Sequence, residues 1–281
     1  MLEEIHKSKM SYCYLLDPDH QRYDIIVENY EDIFDPEIIE QARVNRAYQL
    51  SADAYEAAYN AWYIGSRKVK DKPKQAETRV TAEDIAPDSL IFRVMTYEHV
   101  PDAPGRKNKP KTTADLHAKC NFPPFKQYST VQGEMKEVVR SHWEGGIDNG
   151  SFSCEHGQTS NKLATMYIKL CERYSMRSNW RGYTYVDEMR NQALLQLSQI
   201  GLQFNELKSQ NPFAYYTAAV TNSFTRVLNL EKRNQNIRDD LLQESGHSPS
   251  WNRQFEQAPG EKAKYDENIE KERKEQSGTN F

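Results

Sequence analysis

Two neighbouring segments in the second half of the chain carry apolar residues at helical spacing. Because an α-helix turns every 3.6 residues, each set forms one continuous stripe. The pattern predicts two amphipathic helices, the first capped by Thr184 and the second begun by Asn211 and Pro212. The first stripe contains Val186, Met189, Ala193, Leu197, Ile200 and Phe204, and the second contains Phe213, Tyr216, Val220, Phe224, Val227 and Leu228.

The remaining patterns predict a mainly α fold. Residues 1–65 are expected to be mostly helical, with Asp35 as a cap and Pro36 at the first helical position. Further helices are predicted over Val131 to Trp143 and after residue 160, and a short strand over Leu90 to Tyr97. Two more apolar stripes are expected to be core: Tyr48, Tyr55, Tyr59 and Trp62 in one, and Leu163, Met166, Tyr167, Leu170 and Tyr174 in the other.

Proline-rich and lysine-rich stretches divide the sequence. Residues 101–111 and the Phe122-Pro123-Pro124-Phe125 segment interrupt regular structure and predict a linker. We therefore expect an acidic, mostly helical N-terminal region of unknown fold, a linker, a helical domain and a charged C-terminal tail. The predicted bounds are 1–105, 106–130, 131–255 and 256–281.

The net charge of −4 conceals an uneven distribution. Residues 1–60 carry about eight net negative charges, whereas residues 161–238 carry about six net positive charges. A basic segment can follow a phosphate backbone, which repels an acidic segment. Any nucleic-acid contact is therefore expected in the second half of the chain.

The sequence predicts a chain that stays in the cytoplasm, because it has no run of eighteen apolar residues and no secretory signal pattern at its start. Its four cysteines are widely scattered, which favours reduced thiols. Two pairs, His117-x-x-Cys120 and Cys154-x-His156, lack the repeated C-x-x-C spacing typical of zinc sites. We therefore expect no metal and no cofactor.

The reverse sides of the two central helices are polar. The first presents a leucine among charged and amide groups, an arrangement suited to a protein contact: Asp187, Glu188, Arg190, Asn191, Gln192, Leu195 and Gln199. The second presents Tyr215, Ala218, Ala219, Asn222, Thr225, Arg226, Asn229 and Arg233. Asn and Arg can read base edges and Tyr can stack on an unpaired base, although a solvated helix often has a similar face.

Several of these segments together resemble one known family. They are Arg181-Gly182-Tyr183-Thr184-Tyr185-Val186-Asp187-Glu188-Met189, Gln203-Phe204-Asn205-Glu206, Asn211-Pro212-Phe213-Ala214-Tyr215-Tyr216-Thr217, Phe224-Thr225-Arg226-Val227 and Glu231-Lys232-Arg233. Their order and spacing are similar to those of the region-2 core of late-transcription sigma factors of T-even-type bacteriophages. The resemblance extends weakly upstream to about residue 132 and covers somewhat under half of the chain. It implies a helical sigma region 2-like domain.

The resemblance implies a transcription initiation factor that binds host core RNA polymerase and directs it to AT-rich late promoters. The first central helix would dock on the clamp helices of the beta-prime subunit through Asp187, Glu188, Arg190, Asn191 and Leu195. The second would contact promoter DNA. Phe213, Tyr215 and Tyr216 would help to open the duplex, and Asn222, Arg226, Asn229, Lys232 and Arg233 would contact double-stranded DNA.

The sequence also departs from the family. Ala219-Val220 stand where housekeeping sigma factors carry a Trp-Trp pair, so we expect weaker strand opening and dependence on a late co-activator. No second DNA-binding helix-turn-helix is evident. The resemblance also implies a phage sliding clamp as a partner. Residues 277–281 differ, however, from the hydrophobic and acidic C-terminal tip through which the family binds the clamp. The expected compartment is the cytoplasm of the infected bacterial host.

Two other functions stay open at this stage. An adaptor would tether polymerase through the Glu188 face without promoter recognition. An enzyme with an unrecognised site is the other, although the chain has no G-x-x-x-x-G-K-[ST], G-x-G-x-x-G, G-x-S-x-G or H-E-x-x-H motif and its seven histidines do not cluster in sequence. We expect no enzymatic activity.

Overall fold

The computed structural model describes residues 1–65, 67–101, 120–131 and 133–257. Its α-helices are α1 (Leu2–Met10), α2 (Pro36–Ile64), α3 (Asn161–Ser175), α4 (Val186–Ile200), α5 (Pro212–Glu244) and α6 (Trp251–Gln257). Its strands are β1 (Cys13–Leu15), β2 (Ile25–Val27), β3 (Ile91–Met95), β4 (Phe125–Val131), β5 (Glu134–Ser141), β6 (Trp143–Glu144) and β7 (Ser151–Phe152). The mainly α class is therefore accompanied by a small mixed sheet. None of the described helices is both long and apolar enough to cross a bilayer.

Five strands form one mixed sheet in the order β1-β5-β4-β3-β2. β2 and β3 run parallel, and the other neighbours are antiparallel. Strands β6 and β7 form a separate two-stranded sheet. Helix α2 packs on one face of the large sheet, and α1 with the helices of the second half lies on the other. The fold is thus a sheet between two helical layers.

The predicted strand around residues 90–97 is confirmed as β3, and its side chains alternate between the two cores. Phe92 and Val94 pack on the side of α2, whereas Ile91 joins the core that contains α1 and α3. This period of two is what a strand buried on both faces requires. The strand therefore connects the two hydrophobic cores of the protein.

The start of α2 is confirmed, but the prediction that its aromatic stripe is core is wrong. The Asp35 carboxylate accepts a hydrogen bond from the Glu37 amide at 2.9 Å, with Pro36 at the first helical position. Only Ala42 and Ala47 are buried along the helix, and Tyr48 is 76% exposed. Helical periodicity predicts a common face but not a partner for that face. Here the helix continues past the sheet that covers its first half.

The prediction of a helix over Val131 to Trp143 is also wrong, because this segment contains the whole of β5. Gly133 has a φ of 82°, which a glycine adopts without strain, and it lies where the chain reverses between β4 and β5. Val138 and Val139 are buried in the sheet. Pairing with β1 and β4 satisfies the backbone of this segment on both sides, and this tertiary context outweighs its local pattern.

The boundary predicted at residues 106–130 is not found where the chain is described. Phe122 and Phe125 are fully buried, and the Pro124 carbonyl accepts a hydrogen bond from the Thr96 amide at 3.2 Å. Residues 120–130 therefore lead into and form β4. One hydrophobic core contains Ile5, Phe125 and the inner faces of α3, α4 and α5, so it joins the predicted N-terminal region to the helical half. The linker positions 106–119 and the tail from 258 lie outside the described residues.

The helical half agrees with the sequence patterns. Leu163, Tyr167, Leu170 and Tyr174 are buried along α3 as predicted, and Cys171 lies with them, whereas Met166 is only partly buried. Helix α4 begins at Val186 with Tyr185 as its N-cap, so the cap predicted at Thr184 is wrong by one residue. The start of α5 is confirmed, since the Asn211 side chain accepts a hydrogen bond from the Ala214 amide at 3.2 Å.

A buried ion network joins the sheet to both helical regions. The Lys9 ammonium of α1 donates to Glu206 Oε1 at 3.0 Å and to the Phe204 carbonyl at 2.6 Å, both in the loop after α4. The Arg93 guanidinium of β3 lies 3.8 Å from Glu206 Oε2 and donates to Gln127 Oε1 at 2.6 Å. All three charged side chains are almost fully buried. The Glu206 carboxylate therefore pairs with two cations from distant parts of the chain.

Burial and neighbouring charges shift the pKa values of this network in opposite directions. Burial alone would raise the pKa of Glu206, but the positive charges of Lys9 and Arg93 outweigh it and the pKa is lowered. Burial lowers the pKa of Lys9 and of Arg93, and the Glu206 charge acts against this shift in both. The pKa of the adjacent His6 falls to about 3, first through burial and then through Arg93. The charged carboxylate is thus essential to the network.

We predict that Glu206→Gln lowers the free energy of unfolding by about 3–5 kcal/mol, because two buried cations lose their counter-charge. Urea unfolding followed by circular dichroism measures the change. The control is Asp240→Asn, which removes an exposed partner of Arg253 and is expected to cost less than about 1 kcal/mol. Equal effects of the two substitutions would contradict the role given to Glu206.

Candidate functional site

Helices α4 and α5 pack against one another through the two stripes predicted from the sequence. Met189, Ala193 and Leu197 are fully buried on α4, and they share a core with Val220 and Phe224 of α5. Both predicted stripes are thereby confirmed in their central turns. Because the helices are packed tightly, their two outer faces keep a constant orientation relative to one another.

The tight turn after α4 depends on a glycine. A Cβ atom at Gly201 would lie 2.3 Å from the Tyr167 hydroxyl, so only glycine fits without displacement of that ring. The Gly201 carbonyl accepts a hydrogen bond from the Tyr216 hydroxyl at 2.5 Å, and Tyr167 donates to the same Tyr216 oxygen at 3.2 Å. These hydrogen bonds therefore connect α3, the end of α4 and α5 on their buried sides.

The outer face of α4 is exposed and acidic at its start. Asp187 and Glu188 lie in the first turn, where negative charges interact favourably with the helix dipole. Arg190 is partly exposed and pairs with Asp187 at 3.1 Å. Leu195 is 51% exposed, and Asn191 is exposed as well. All five residues predicted to bind polymerase are thus accessible on one helix.

The outer face of α5 is exposed and basic. In the part of the chain that the structure describes, its cations form no salt bridge, so their charge is available to a partner. The residues that contribute to this face, all of them predicted from the sequence and all exposed, are Asn222, Arg226, Asn229, Lys232 and Arg233.

The three aromatic residues predicted to open the duplex differ in accessibility. Tyr216 is fully buried and hydrogen-bonded within the core, so its predicted DNA contact is wrong. Phe213, which was expected on the inner stripe, is 56% exposed because it lies in the first turn, beyond the end of α4. Tyr215 is partly buried and packs edge-to-face on Phe204. Phe213 and Tyr215 remain accessible at the start of α5.

A cleft of about 610 Å³ separates the start of α4 from the middle of α5. Its walls include Asp187 and Glu188 from α4 and Glu231 and Arg238 from α5. The cleft forms where α5 extends beyond the first turn of α4. Because α4 no longer covers α5 there, the inner side of α5 changes from apolar residues, ending with Val227, to polar ones. Three of these four charged side chains are acidic, which makes the interior of the cleft unsuited to a phosphate backbone.

Two cations near the α5 face were missed as individual residues. The Tyr174 hydroxyl donates to Thr221 Oγ1 at 2.8 Å, which places the end of α3 beside Asn222. Arg177 is exposed and its guanidinium lies 4.4 Å from the centre of the Tyr174 ring. Arg181 is exposed and follows Trp180, whose ring centre lies 5.2 Å from that of Phe224 on α5. The excess of positive charge over residues 161–238 was the sequence signal, but spacing alone could not place these two residues beside α5.

Comparisons with known proteins give no relative. No protein-family model matches the chain, and no curated protein or solved structure is detectably similar to it. We therefore infer a function from the sequence and from the geometry of its residues.

We predict opposite outcomes for the two neighbouring tyrosines of α5. Tyr216→Phe should lower the free energy of unfolding by about 1–3 kcal/mol, because the buried Gly201 carbonyl loses its donor. Tyr215→Phe should change the free energy of unfolding by less than about 0.5 kcal/mol, because the hydrogen bond from the Tyr215 hydroxyl to the Ile200 carbonyl is long, at 3.5 Å, and therefore weak. Urea unfolding of both variants measures this difference, and a larger loss for Tyr215→Phe would refute the packing described.

Proposed function

We propose that this chain is a promoter-recognition subunit of the late sigma type, which binds host core RNA polymerase through α4 and promoter DNA through α5. The observation that carries the proposal is the pairing of an acidic outer face and a basic outer face on two helices fixed by one core. The resemblance of their sequences to the region-2 core of T-even-type late sigma factors supports the same assignment. The sigma region 2-like nature of the helical half is part of this proposal.

The charge distribution supports separate partners for the two helices. Asp187 and Glu188 would be repelled by DNA, so the α4 face suits a protein. Leu195 supplies an apolar contact at the middle of this face, as the centre of a protein interface requires. We assign the clamp helices of the beta-prime subunit to Asp187, Glu188, Arg190, Asn191 and Leu195.

The α5 face has dimensions that fit duplex DNA. From Asn222 to Arg233 the helix advances about 16 Å, which corresponds to about five base-pair steps. Asn222, Arg226 and Asn229 carry groups that can bond to base edges in the major groove. Lys232 and Arg233 can neutralise phosphates, and Arg177 extends the basic surface to the side.

Strand opening would use the accessible aromatic rings at the start of α5. Phe213 and Tyr215 can each stack on an unpaired base, an interaction worth about 1–3 kcal/mol. Unstacking a base step costs a few kcal/mol, so two rings offset only part of the cost of an open bubble. With Ala219-Val220 in place of a Trp-Trp pair, we expect a late co-activator and a sliding clamp to contribute the rest. The factor performs no covalent chemistry and acts in the cytoplasm of the infected host.

We predict that Arg226→Ala combined with Asn229→Ala abolishes promoter-specific runoff transcription, because both base-reading groups are lost. Binding to core polymerase, measured by pull-down, should be unchanged, since both residues lie on α5. The matched control is Asn161→Ala with Arg173→Ala, which removes the same two exposed side-chain types from α3. Specific transcripts at the wild-type level from the α5 variant would refute the assignment of this helix.

We further predict that Leu195→Asp weakens binding to core polymerase at least tenfold, because a charge replaces an apolar contact at the centre of the α4 face. Ile168→Asp on α3 is the control, since Ile168 is similarly exposed at 43% and lies outside the proposed interface. Titration of labelled protein with core enzyme measures both affinities, and equal affinities would contradict the proposal.

The adaptor function makes a different prediction for DNA. A photocrosslinker introduced at position 226 should attach to promoter DNA in the polymerase complex if α5 reads the promoter. An adaptor bound only through α4 would give crosslinks to polymerase and none to DNA. This measurement separates the two functions independently of transcription levels.

A further inference from the structure

Three metal-ligand side chains converge between the sheet and the β6–β7 hairpin. Cys120 precedes β4, His142 connects β5 to β6, and Cys154 follows β7. Their ligand atoms all lie within 4.8 Å of one another. The two thiols also form a hydrogen bond with each other. Three segments that are well separated in sequence thus bring two sulfur atoms and an imidazole to one point.

The His142 imidazole is buried in an unusual way. The residue has no exposed surface, and neither of its ring nitrogens has a hydrogen-bond partner among the described residues. Its ring packs between Phe122, at 4.0 Å between ring centres, and Phe152, at 5.9 Å. A buried polar atom without a partner is costly, so two on one ring require an explanation.

The backbone of His142 also adopts a costly conformation. Its φ is 53°, in the left-handed region that non-glycine residues seldom occupy. Backbone strain of this kind persists where the surrounding structure requires it, often at a ligand site. Here it directs the imidazole toward Cys120 and Cys154.

We propose that Cys120, His142 and Cys154 bind a structural zinc ion, with His156 as the fourth ligand. Zinc bonds of about 2.3 Å to sulfur and about 2.0 Å to nitrogen would place tetrahedral ligand atoms about 3.6–3.8 Å apart, so the three groups need to move by no more than about 1 Å. His156 follows Cys154 by two residues, and its Nδ1 is also buried without a hydrogen-bond partner. Its ring nitrogens do not belong to the group of ligand atoms that lie within 4.8 Å of one another, so His156 has to move further than the other three residues to complete the site.

The charge balance of such a site suits its surroundings. A cysteine binds zinc as a thiolate, so each of the two thiols loses its proton when the ion binds. Binding of Zn²⁺ releases two protons to solvent and forms two sulfur–zinc bonds. Two thiolates neutralise the dipositive ion, so the filled site adds no net charge to the apolar environment.

This inference is independent of the proposed transcriptional role. The ion would tie the segment before β4 to the β6–β7 hairpin, and no residue of the α4 or α5 outer face takes part. The sequence already placed Cys120 and Cys154 in candidate pairs, but His142 was not recognised because it belongs to neither of these short-spaced pairs. His117, the other member of the predicted set, lies outside the described residues.

The first experiment measures metal in the full-length protein, purified under reducing conditions without chelator. We expect about one zinc per chain by mass spectrometry of the metal. Replacement by Co²⁺ should give sulfur-to-cobalt charge-transfer absorption and the intense visible bands of a tetrahedral site. Absence of zinc together with absence of these bands after addition of Co²⁺ would overturn the proposal without requiring any variant to fold.

The second experiment tests the ligands. Cys154→Ser and His142→Ala should each reduce zinc affinity at least tenfold, and His156→Ala should reduce it by a smaller factor as water takes its place. Cys171→Ala is the matched control, because Cys171 is buried in the core of α3 and should retain full zinc binding. Equal zinc content in all four variants would overturn the assignment.

The alternative to a zinc site is a disulfide between the neighbouring thiols of Cys120 and Cys154. Alkylation of the unreduced protein under denaturing conditions, followed by peptide mass spectrometry, distinguishes it from a metal site. The zinc proposal requires both Cys120 and Cys154 to be alkylated, and to be protected in the native protein until a chelator is added. A Cys120–Cys154 disulfide in freshly purified protein would overturn it.

Discussion

The carboxylate of Glu206 holds the architecture together, because it neutralises cations from two other parts of the fold. Lys9 belongs to α1 and Arg93 to the centre of the sheet, whereas Glu206 follows α4. Desolvation of three charges is costly, and such an arrangement persists only when every partner is in place. The network therefore couples the sheet to the α4–α5 pair, so the outer faces of these helices are fixed relative to the whole protein.

Local patterns predicted the elements whose partners are close in sequence. The stripes of α3, α4 and α5 pack on one another, so helical periodicity was enough to identify their buried residues. The sheet was largely missed, because β1 pairs with β5 across more than a hundred residues and no local signal encodes this pairing. The Tyr48 stripe failed for the opposite reason: a regular pattern was present, but among the described residues Tyr48 is 76% exposed and Tyr55, Tyr59 and Trp62 are only partly buried.

The exposure of the proposed DNA-binding residues was predicted better than the fold around them. Exposure of Asn222, Arg226 and Asn229 follows from rotation about a single helix axis, which the sequence determines once the buried stripe is known. Helical periodicity placed Tyr216 on the buried stripe, whereas the family resemblance assigned it to DNA, and only its burial is confirmed. Its burial depends on Gly201 and Tyr167, which reach it only through tertiary packing.

The distance along the chain between Lys9 and Glu206 has a consequence for synthesis. These residues are 197 positions apart, so α1 leaves the ribosome long before its ionic partner exists. At about 5–20 residues per second this delay is about 10–40 s. During that time the nascent sheet lacks β5 or its helical cover, and its apolar strands stay open to cellular chaperones. Folding of this part of the protein is thus completed only after residue 206 has been synthesised.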